Sequence, residues 1–274
     1  MINYEKLKTT AQKAGETGMK LLYPQRCPFC DCILTGRQKD RKQVCEKCRE
    51  KLPWVTEPAC MKCGKPVESP EKEFCEDCSR TKHLFDRGRA AFTYTGLVRG
   101  SVYRMKFQNR RDYLDFYAEA IVCVGGKYLR IWRPEVIVPI PMHWRKRAAR
   151  GYNQSELLAG KISRITGIPC ERKLLRCGRF TGSQKELGRR ERTKNLRGSF
   201  FVSPEKKAGL INSGRENRKL PSSVLLVDDV YTTGSTMDEA ARALREAGVR
   251  QIFFFVLCTG KGKKSLHEPK SVLY

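Results

Sequence analysis

The segment from Val224 to Thr236 constrains the fold of this 274-residue chain more than any other stretch. It begins with the apolar run Val-Leu-Leu-Val, continues with Asp228 and Asp229, and ends in the turn Thr232-Thr233-Gly234-Ser235-Thr236. A helical pattern follows, from Met237 to about Ala247. A buried strand that leads through a loop into a helix is typical of open α/β sheets, which bind ligands at the carboxyl ends of their strands.

The chemistry of this segment favours a phosphorylated sugar. The turn from Thr232 to Thr236 can offer successive backbone N–H groups and several hydroxyls to one phosphate, and the helix N-terminus adds a favourable dipole. Asp228 and Asp229 suit the hydroxyls of a sugar that carries the phosphate, or a Mg²⁺ ion beside it. The simpler interpretation is a buried strand with an acidic turn and a Ser/Thr helix cap.

The same segment resembles the phosphoribosyl pyrophosphate (PRPP) motif of type I phosphoribosyltransferases. That motif has four apolar residues, two acids, an apolar residue, two variable positions and a Thr-Gly-Gly/Ala-Thr turn. The resemblance implies that Asp228 and Asp229 bind the ribose hydroxyls, that Thr232 to Thr236 bind the 5′-phosphate, and that Mg²⁺ accompanies PRPP. Ser235 stands where Gly or Ala is usual, a small change that we expect to be tolerated.

Eight of the thirteen cysteines form four C-x-x-C pairs near the N-terminus, and this pattern indicates zinc. Each pair turns two thiolates onto one cation, and two such pairs complete a tetrahedral site. Four pairs therefore predict two structural Zn²⁺ sites in zinc ribbons. Pairing in sequence order is preferred, and an interleaved pairing stays open. Disulfides fit a cytosolic chain poorly. The predicted ligands are Cys27, Cys30, Cys45, Cys48, Cys60, Cys63, Cys75 and Cys78.

Strands that alternate with helices predict an α/β fold with a mostly parallel sheet, behind an N-terminal double zinc ribbon. The resemblance to the PRPP motif implies that this sheet has the type I phosphoribosyltransferase fold. The predicted strands are 88–94, 134–140, 224–227 and 251–257, and the predicted helices are 97–107, 113–124, 155–165 and 237–247. The predicted domains are an N-terminal helical or flexible segment (1–22), the double ribbon (23–84), the transferase-like domain (85–260, with a mobile insertion at 203–221) and a basic tail (261–274).

The formal charge of +26 is large, and it is concentrated in the middle of the chain. Residues 141–200 hold sixteen Lys and Arg against four Asp and Glu. Such a basic stretch predicts a surface for a polyanion, and PRPP alone does not need so many cations. Nucleic acid is therefore an expected partner, although some proteins are basic for solubility alone. No apolar run is long enough to span a membrane and no secretory signal is evident, so a cytoplasmic location is expected.

A second anion site is predicted where the strand that ends near Ile140 meets a basic loop. In the phosphoribosyltransferase fold the corresponding loop binds pyrophosphate. Pro139 and Pro141 lack an N–H, so the donors must come from later backbone groups and cationic side chains. The candidates are His143, Lys146 and Arg150. The alternative is a basic helix cap on a solvated face.

Residues 179–200 are polar, basic and interrupted by glycine, which suits a lid that closes over a charged substrate. Type I phosphoribosyltransferases have a flexible loop at this place, often with a catalytic Lys or Arg. Lys185, our candidate catalytic residue, and Arg192 stand in that position. A solvated basic helix is the alternative interpretation of this segment.

The order of these parts is similar to that in the ComF family of bacterial competence proteins. Cysteine-rich ribbons come first, and the PRPP motif closes the series. Lys185-Glu186 departs from the Thr-Gly that is frequent in the family, and Arg147 replaces an apolar residue. The motifs between the ribbons and the PRPP motif are Phe92-Thr93-Tyr94-Thr95-Gly96, Met105-Lys106-Phe107, Val138-Pro139-Ile140-Pro141-Met142-His143, Arg150-Gly151-Tyr152-Asn153-Gln154, Gln184–Leu187 with Glu191-Arg192, and Asn195-Leu196-Arg197-Gly198.

The ComF resemblance implies a role in the uptake of transforming DNA, with single-stranded DNA and competence proteins as partners. Three functional hypotheses follow. The chain could bind PRPP as a ligand while it handles nucleic acid. It could be an active phosphoribosyltransferase that transfers phosphoribose to a nucleobase with release of pyrophosphate. It could also be a structural adaptor with a vestigial motif, although the intact acid pair and turn argue against loss of function.

Overall fold

The computed structural model describes residues 24–34, 43–178, 198–204 and 220–260. The chain forms two compact units, Met1–Leu52 and Pro53–Tyr274. The unit boundary falls between the second and third C-x-x-C pairs, so the third and fourth pairs share a unit with the sheet. The predicted segments 1–22 and 261–274 and most of the predicted insertion, 205–219, lie outside the described residues.

The first unit is organised around its cysteines. An isolated bridge joins Arg26 to Ile33, and the Cys27 N–H donates to the Cys32 carbonyl at 2.8 Å, which closes the first knuckle. The short helix α1, Glu46–Arg49, begins directly after Cys45. The apolar core of the unit's described part is small, so most of its folding energy must come from metal binding.

The second unit begins with another ribbon, which packs onto the first strand of the sheet. A bridge joins Ala59 to Pro66, and helix α2, Glu76–Arg80, begins directly after Cys75 and contains Cys78. The Gly88 N–H donates to the Lys62 carbonyl at 2.8 Å. Gly64 has φ +73, and an added Cβ would lie 2.8 Å from the Gly88 oxygen, so only glycine permits this approach.

The centre of the second unit is a four-stranded parallel sheet of order β1-β6-β5-β2. Its strands are β1 (Arg87–Thr93), β2 (Val136–Pro139), β5 (Ser223–Tyr231) and β6 (Gln251–Thr259). A separate antiparallel pair consists of β3 (Leu175–Cys177) and β4 (Phe200–Val202). The predicted parallel sheet is confirmed. Near-continuous apolar runs in β5 and β6 are what a strand buried on both faces requires.

Helices cover both faces of this sheet. They are α3 (Gly96–Phe107), α4 (Tyr113–Trp132), α5 (Trp144–Arg150), α6 (Gln154–Thr166) and α7 (Ser235–Glu246). Trp132 of α4 stacks on Phe253, with ring centroids 4.7 Å apart. Phe254, the next residue of β6, lies in the core cluster that includes Met237 and Leu244 of α7. Successive residues of β6 therefore point to opposite faces of the sheet, one covered by α4 and the other by α7.

Two elements extend at least four residues beyond their predicted ends. Helix α4 continues through Gly125 and Gly126 to Trp132, whereas the sequence predicted an end at Val124. The physical reason is packing, because the Phe255 ring lies where a side chain at Gly125 would be, 2.4 Å from a built Cβ. Strand β5 continues past Val227 to Tyr231, because β6 provides ladder partners that far. Among the helices that the structure describes, none is long and apolar enough to cross a membrane.

Candidate functional site

The two acids of the predicted sugar site lie at the carboxyl end of β5, inside the strand. The neighbouring strand β2 pairs with β5 only as far as Val227, so α6 can approach the residues that follow. The Ser155 hydroxyl donates to Asp228 Oδ1 at 2.7 Å, and Gln154 Nε2 donates to Asp229 Oδ2 at 3.0 Å. Successive residues at the start of α6 therefore hold successive carboxylates.

The start of α6 is itself held against the sheet. The Asn153 side chain accepts a hydrogen bond from the Ser155 N–H and caps the helix. Its Nδ2 donates to the Ile140 carbonyl at 3.0 Å, just beyond β2. The sequence analysis included this asparagine only as part of a family motif. Its position explains how β2, α6 and the acid pair are kept in register.

Lys106, near the end of α3, forms an ion pair with the acid pair. Its Nζ lies 2.5 Å from Asp229 Oδ2. Burial acts to lower the pKa of Lys106, but attraction to Asp229 outweighs it and the pKa is raised. The sequence analysis noted Lys106 only within a family motif. The contact spans more than one hundred residues of sequence, and no local pattern signals it.

Asp228 has an unusual protonation equilibrium. Burial first, and then repulsion from Asp229, raise the pKa of Asp228 to about 7, although the Ser155 hydrogen bond acts in the other direction. Near neutral pH, Asp228 is therefore protonated in a large fraction of the molecules, whereas binding of a sugar or a cation requires the ionised carboxylate. Strongly shifted carboxyl pKa values are typical of functional sites.

We expect Asp228→Asn to stabilise the protein at high pH. The pKa of Asp228 is about 7 in the folded protein and ~3.9 in the unfolded chain, so the folded state binds the proton more tightly. The contribution of Asp228 to the free energy of unfolding is therefore fully present below pH 4 and is lost as the pH rises through 7. Asparagine avoids the cost of burying the charge, so the variant should gain on the order of 2 kcal/mol at pH 8 and almost nothing at pH 4.5. Thermal unfolding at both pH values measures this. Asp112→Asn, which changes an exposed acid, is the control. If Asp228→Asn were no more stable than wild type at pH 8, the raised pKa of Asp228 would be contradicted.

The predicted phosphate turn follows the acids and leads into α7. Gly234 is the N-cap of α7, with φ +86, and provides no capping side chain. The Thr233 and Ser235 hydroxyl oxygens lie 3.0 Å apart. A small cavity at the turn is lined by residues 230–237. Backbone N–H groups at the start of a twelve-residue helix, together with hydroxyls, are a suitable environment for a phosphate.

The second ribbon supports this turn from behind. His83 Nδ1 lies 2.7 Å from Asp238 Oδ2, and the Leu84 N–H donates to Asp238 Oδ1 at 2.9 Å, in the first turn of α7. A Cβ on Gly234 would lie 2.8 Å from His83 Cε1 and 2.8 Å from the Tyr231 hydroxyl. The sequence analysis did not identify His83, whose partner is 155 residues away.

The three predicted pyrophosphate residues occupy different positions. Arg150 connects to the acid pair, because its Nη1 donates to Gln154 Oε1 at 2.6 Å and Gln154 in turn contacts Asp229. His143 is buried and caps α5, and its Nδ1 accepts from the Arg145 N–H at 3.3 Å. Lys146 is half-buried on α5, and burial lowers its pKa. The structure thus links Arg150 to the predicted sugar site and gives His143 a local structural contact.

The predicted lid can be followed only at its base. Lys185 and Arg192 lie outside the described residues. The two ends of the lid are joined by the β3–β4 pair and by the Gly178 N–H, which donates to the Ser199 carbonyl at 3.0 Å. The Gly198 N–H donates to Glu239 Oε1 of α7 at 2.6 Å. The base of the segment is therefore attached to the helix that begins at the phosphate turn.

The eight predicted zinc ligands form two groups of four, in sequence order. Within each group the Sγ atoms all lie within 4.8 Å of one another. Two contacts, Cys30 to Cys45 and Cys63 to Cys75, measure 3.6 Å. Tetrahedral Zn–S bonds of ~2.3 Å place sulfurs ~3.8 Å apart, so both groups fit a zinc ion. None of the thirteen cysteines forms a disulfide, and Cys32 is outside the two groups. The preferred pairing is confirmed and the interleaved pairing is excluded.

Comparison with protein families identifies two domains. A double zinc ribbon domain matches residues 18–79, and a phosphoribosyl transferase domain matches residues 193–273. The first match includes all eight clustered cysteines, and the second includes the acid pair and the phosphate turn. The predicted architecture is therefore confirmed at the level of both domains.

Several curated proteins are similar to the chain over most of its length. Competence protein F of Haemophilus influenzae is 27% identical over 213 residues, which cover 76% of this chain and 87% of that protein. Competence protein ComFC of Bacillus subtilis is 27% identical over 218 residues, covering 77% and 81%. The DNA utilization protein YhgH of Salmonella typhimurium is 27% identical over 205 residues, covering 73% and 83%.

Proposed function

Because this chain has the double zinc ribbon and phosphoribosyltransferase domains of the ComF family, we propose that it binds Mg²⁺-PRPP and handles single-stranded DNA. Asp228 and Asp229 hold the ribose, and Thr232 to Thr236 hold the 5′-phosphate. The zinc ions are structural. The role belongs to DNA uptake in the cytoplasm, together with other competence proteins.

One observation carries the PRPP proposal: a pair of carboxylates and an uncapped helix N-terminus lie at the end of the same strand. The acids can accept hydrogen bonds from ribose hydroxyls, and charge-assisted bonds of this kind are the strong ones. Five residues separate Asp229 from Ser235 at the start of α7, so the proposed ribose and phosphate positions belong to one short segment of the chain. The helix dipole favours the dianionic end.

Neighbouring cations complement the remaining charge of such a ligand. Lys106 compensates the charge of Asp229, and Arg150 reaches the same place through Gln154. Both cations can contact the negatively charged pyrophosphate group attached to the ribose. The donors include carboxylate oxygens of the kind Mg²⁺ prefers, and Mg²⁺ would supply further charge neutralisation at the pyrophosphate.

The nucleic-acid part of the proposal is supported by charge and by the relatives. The relatives carry the names competence protein and DNA utilization protein. The net charge of +26 far exceeds what a single PRPP molecule needs. A protein that releases counterions from many phosphates gains affinity for strands without reading their sequence.

The proposal is tested by titrating PRPP and Mg²⁺ into the protein in a calorimeter, with and without a single-stranded oligonucleotide. Wild type should bind, and Asp228→Asn/Asp229→Asn should bind at least about one hundredfold more weakly, because two charge-assisted hydrogen bonds are lost. Asp112→Asn, which changes an exposed acid, is the matched control. Equal PRPP affinity of wild type and the double variant would refute the assignment of the site.

Active transfer of phosphoribose is the second candidate function, favoured by the match to a phosphoribosyl transferase domain. Here the acid pair would hold the ribose while pyrophosphate leaves and a base nitrogen attacks. The candidate catalytic residue is Lys185, in the predicted lid. A screen of nucleobases with PRPP, read as pyrophosphate release, separates the two functions: binding without release on any base leaves only the ligand role.

A further inference from the structure

Helix α3 presents two large aromatic side chains to solvent. Tyr103 and Phe107 are 53% and 54% exposed, and their ring centroids lie 5.0 Å apart at an interplanar angle of 42°. They are four residues apart and Arg99 precedes Tyr103 by four, so all three side chains lie on one stripe of the helix. Exposing both rings side by side costs the protein apolar burial, which suggests a binding role.

The surroundings of these rings are basic. The segment from Gly96 to Arg111 contains no acid and five basic residues: Arg99, Arg104, Lys106, Arg110 and Arg111. Two of them form ion pairs with acids outside the segment, Lys106 with Asp229 and Arg110 with Asp112. The Arg150 guanidinium carbon lies 5.3 Å from the centroid of the Phe107 ring. An aromatic surface edged by cations matches the two components of a single strand, which are stackable bases and a negative backbone.

The aromatic pair also lies beside the acid pair. Lys106, which precedes Phe107, contacts Asp229 at 2.5 Å. Arg150, over the Phe107 ring, contacts Gln154 at 2.6 Å, and Gln154 contacts Asp229 at 3.0 Å. Two independent chains of contacts thus connect the rings to the predicted ribose site.

We propose that Tyr103 and Phe107 form a stacking platform for the bases of single-stranded nucleic acid, with Arg99 and Arg150 contacting its backbone. This inference rests on the proposed function and adds the place where a strand binds. The platform positions bases next to the pocket that holds the ribose phosphate. Base stacking also explains why a single strand would be preferred, because bases in a duplex have no free face.

A protein partner fits this surface less well. The centres of protein interfaces are depleted in charged residues, whereas the α3 rings are bordered by cations with no acid between Gly96 and Arg111. Bases stacked on aromatic rings tolerate every sequence, since each base has a π-face. The partner is therefore a single strand of any sequence.

The platform is tested by fluorescence anisotropy with two labelled strands of equal length, oligo-dT and an abasic strand. The abasic strand keeps the phosphates and lacks the bases. Wild type should bind oligo-dT about tenfold or more tightly than the abasic strand, and Tyr103→Ala/Phe107→Ala should bind both equally. Tyr103→Phe should keep the preference, and Ile131→Ala, which removes a 72% exposed apolar side chain from α4, should not alter it.

The possible results distinguish failure of the platform from failure of the proposed function. If the double variant keeps the preference for oligo-dT, or if wild type binds both strands equally while affinity falls with salt, the platform is refuted and the electrostatic part of the proposed function stands. If wild type binds neither strand at 50 mM salt but binds PRPP, the nucleic-acid part of the proposed function fails together with the platform. PRPP binding by the double variant shows that its fold and the ribose site are intact.

Discussion

Replacing Cys63 with serine should unfold the second unit and abolish PRPP binding at once. The cysteine is fully buried and belongs to the core cluster that also contains Phe85, Tyr231 and Phe254. Structural zinc in such sites contributes ~10–16 kcal/mol, while a whole domain is stable by only ~5–15 kcal/mol. Loss of one ligand therefore removes energy comparable with the entire stability of the unit.

The second ribbon is also connected to the predicted phosphate turn. The second ribbon continues into His83, which contacts Asp238 in α7 at 2.7 Å, and His83 stacks on Phe85. Phe85 in turn contacts Tyr231 edge-on, at the end of β5. If the ribbon unfolded without its metal, the contacts of His83 with Asp238 and of Phe85 with Tyr231 would both be lost. This connection distinguishes the second ribbon from an appended module.

Zinc content, thermal unfolding and PRPP titration measure this effect together. Cys63→Ser should lose one of two bound zinc ions, its cooperative unfolding transition and its PRPP binding. The exposed Cys123→Ser is the matched control and should behave as wild type. A Cys63→Ser protein that kept two zinc ions, or that unfolded within a few degrees of wild type, would contradict a structural metal at this place.

Replacing Gly234 with alanine should weaken PRPP binding by about one hundredfold or more while most of the fold remains. The residue has φ +86, where a Cβ costs ~1–2 kcal/mol. The added methyl would also meet His83 and the Tyr231 hydroxyl at 2.8 Å. Neither neighbour can withdraw easily, because both are packed in the core. The turn must therefore move away from the position that holds the phosphate.

Calorimetric titration with PRPP and with ribose 5-phosphate reads this change directly, since both share the 5′-phosphate. Gly126→Ala is the matched control, because a Cβ there meets nothing within 4 Å and the position is helical. That variant should bind normally and gain about 0.5–1 kcal/mol of stability. If Gly234→Ala bound both ligands as tightly as wild type, the turn would not be the phosphate site.

Features written in contiguous residues could be predicted from the sequence. The cysteine pairs, the acid pair and the Thr-Gly-Ser turn are short motifs whose chemistry depends on local spacing. The central strands are apolar runs, so the parallel sheet was predictable as well. The cysteines group in sequence order, which is the pairing preferred from the sequence.

Partners distant in sequence could not be predicted. Lys106 meets Asp229, and His83 meets Asp238, only because the sheet brings their elements together. The end of α4 was missed for a related reason: Gly125 normally weakens a helix, but here it makes room for Phe255 of another element. Tertiary packing determines these contacts and this helix end, and local sequence propensity does not predict them.

The acid pair shows both levels at once. The sequence predicts a ribose site at Asp228 and Asp229, but it does not reveal that Ser155 and Gln154 hydrogen-bond to them. Nor does it reveal the raised pKa of Asp228, which depends on burial and on the neighbouring charge. The candidate site residues are thus visible in the sequence, while the residues that position them are visible only in the structure.

The central claim is that one pocket at the end of β5 holds the sugar and the phosphate of PRPP. A crystal of the zinc-loaded protein soaked with PRPP and Mg²⁺ tests it most directly. The account predicts density for the ribose within hydrogen-bond distance of Asp228 and Asp229, and for the 5′-phosphate on the backbone N–H groups from Thr233 to Thr236. PRPP bound elsewhere, or an empty pocket at saturating PRPP, would contradict it.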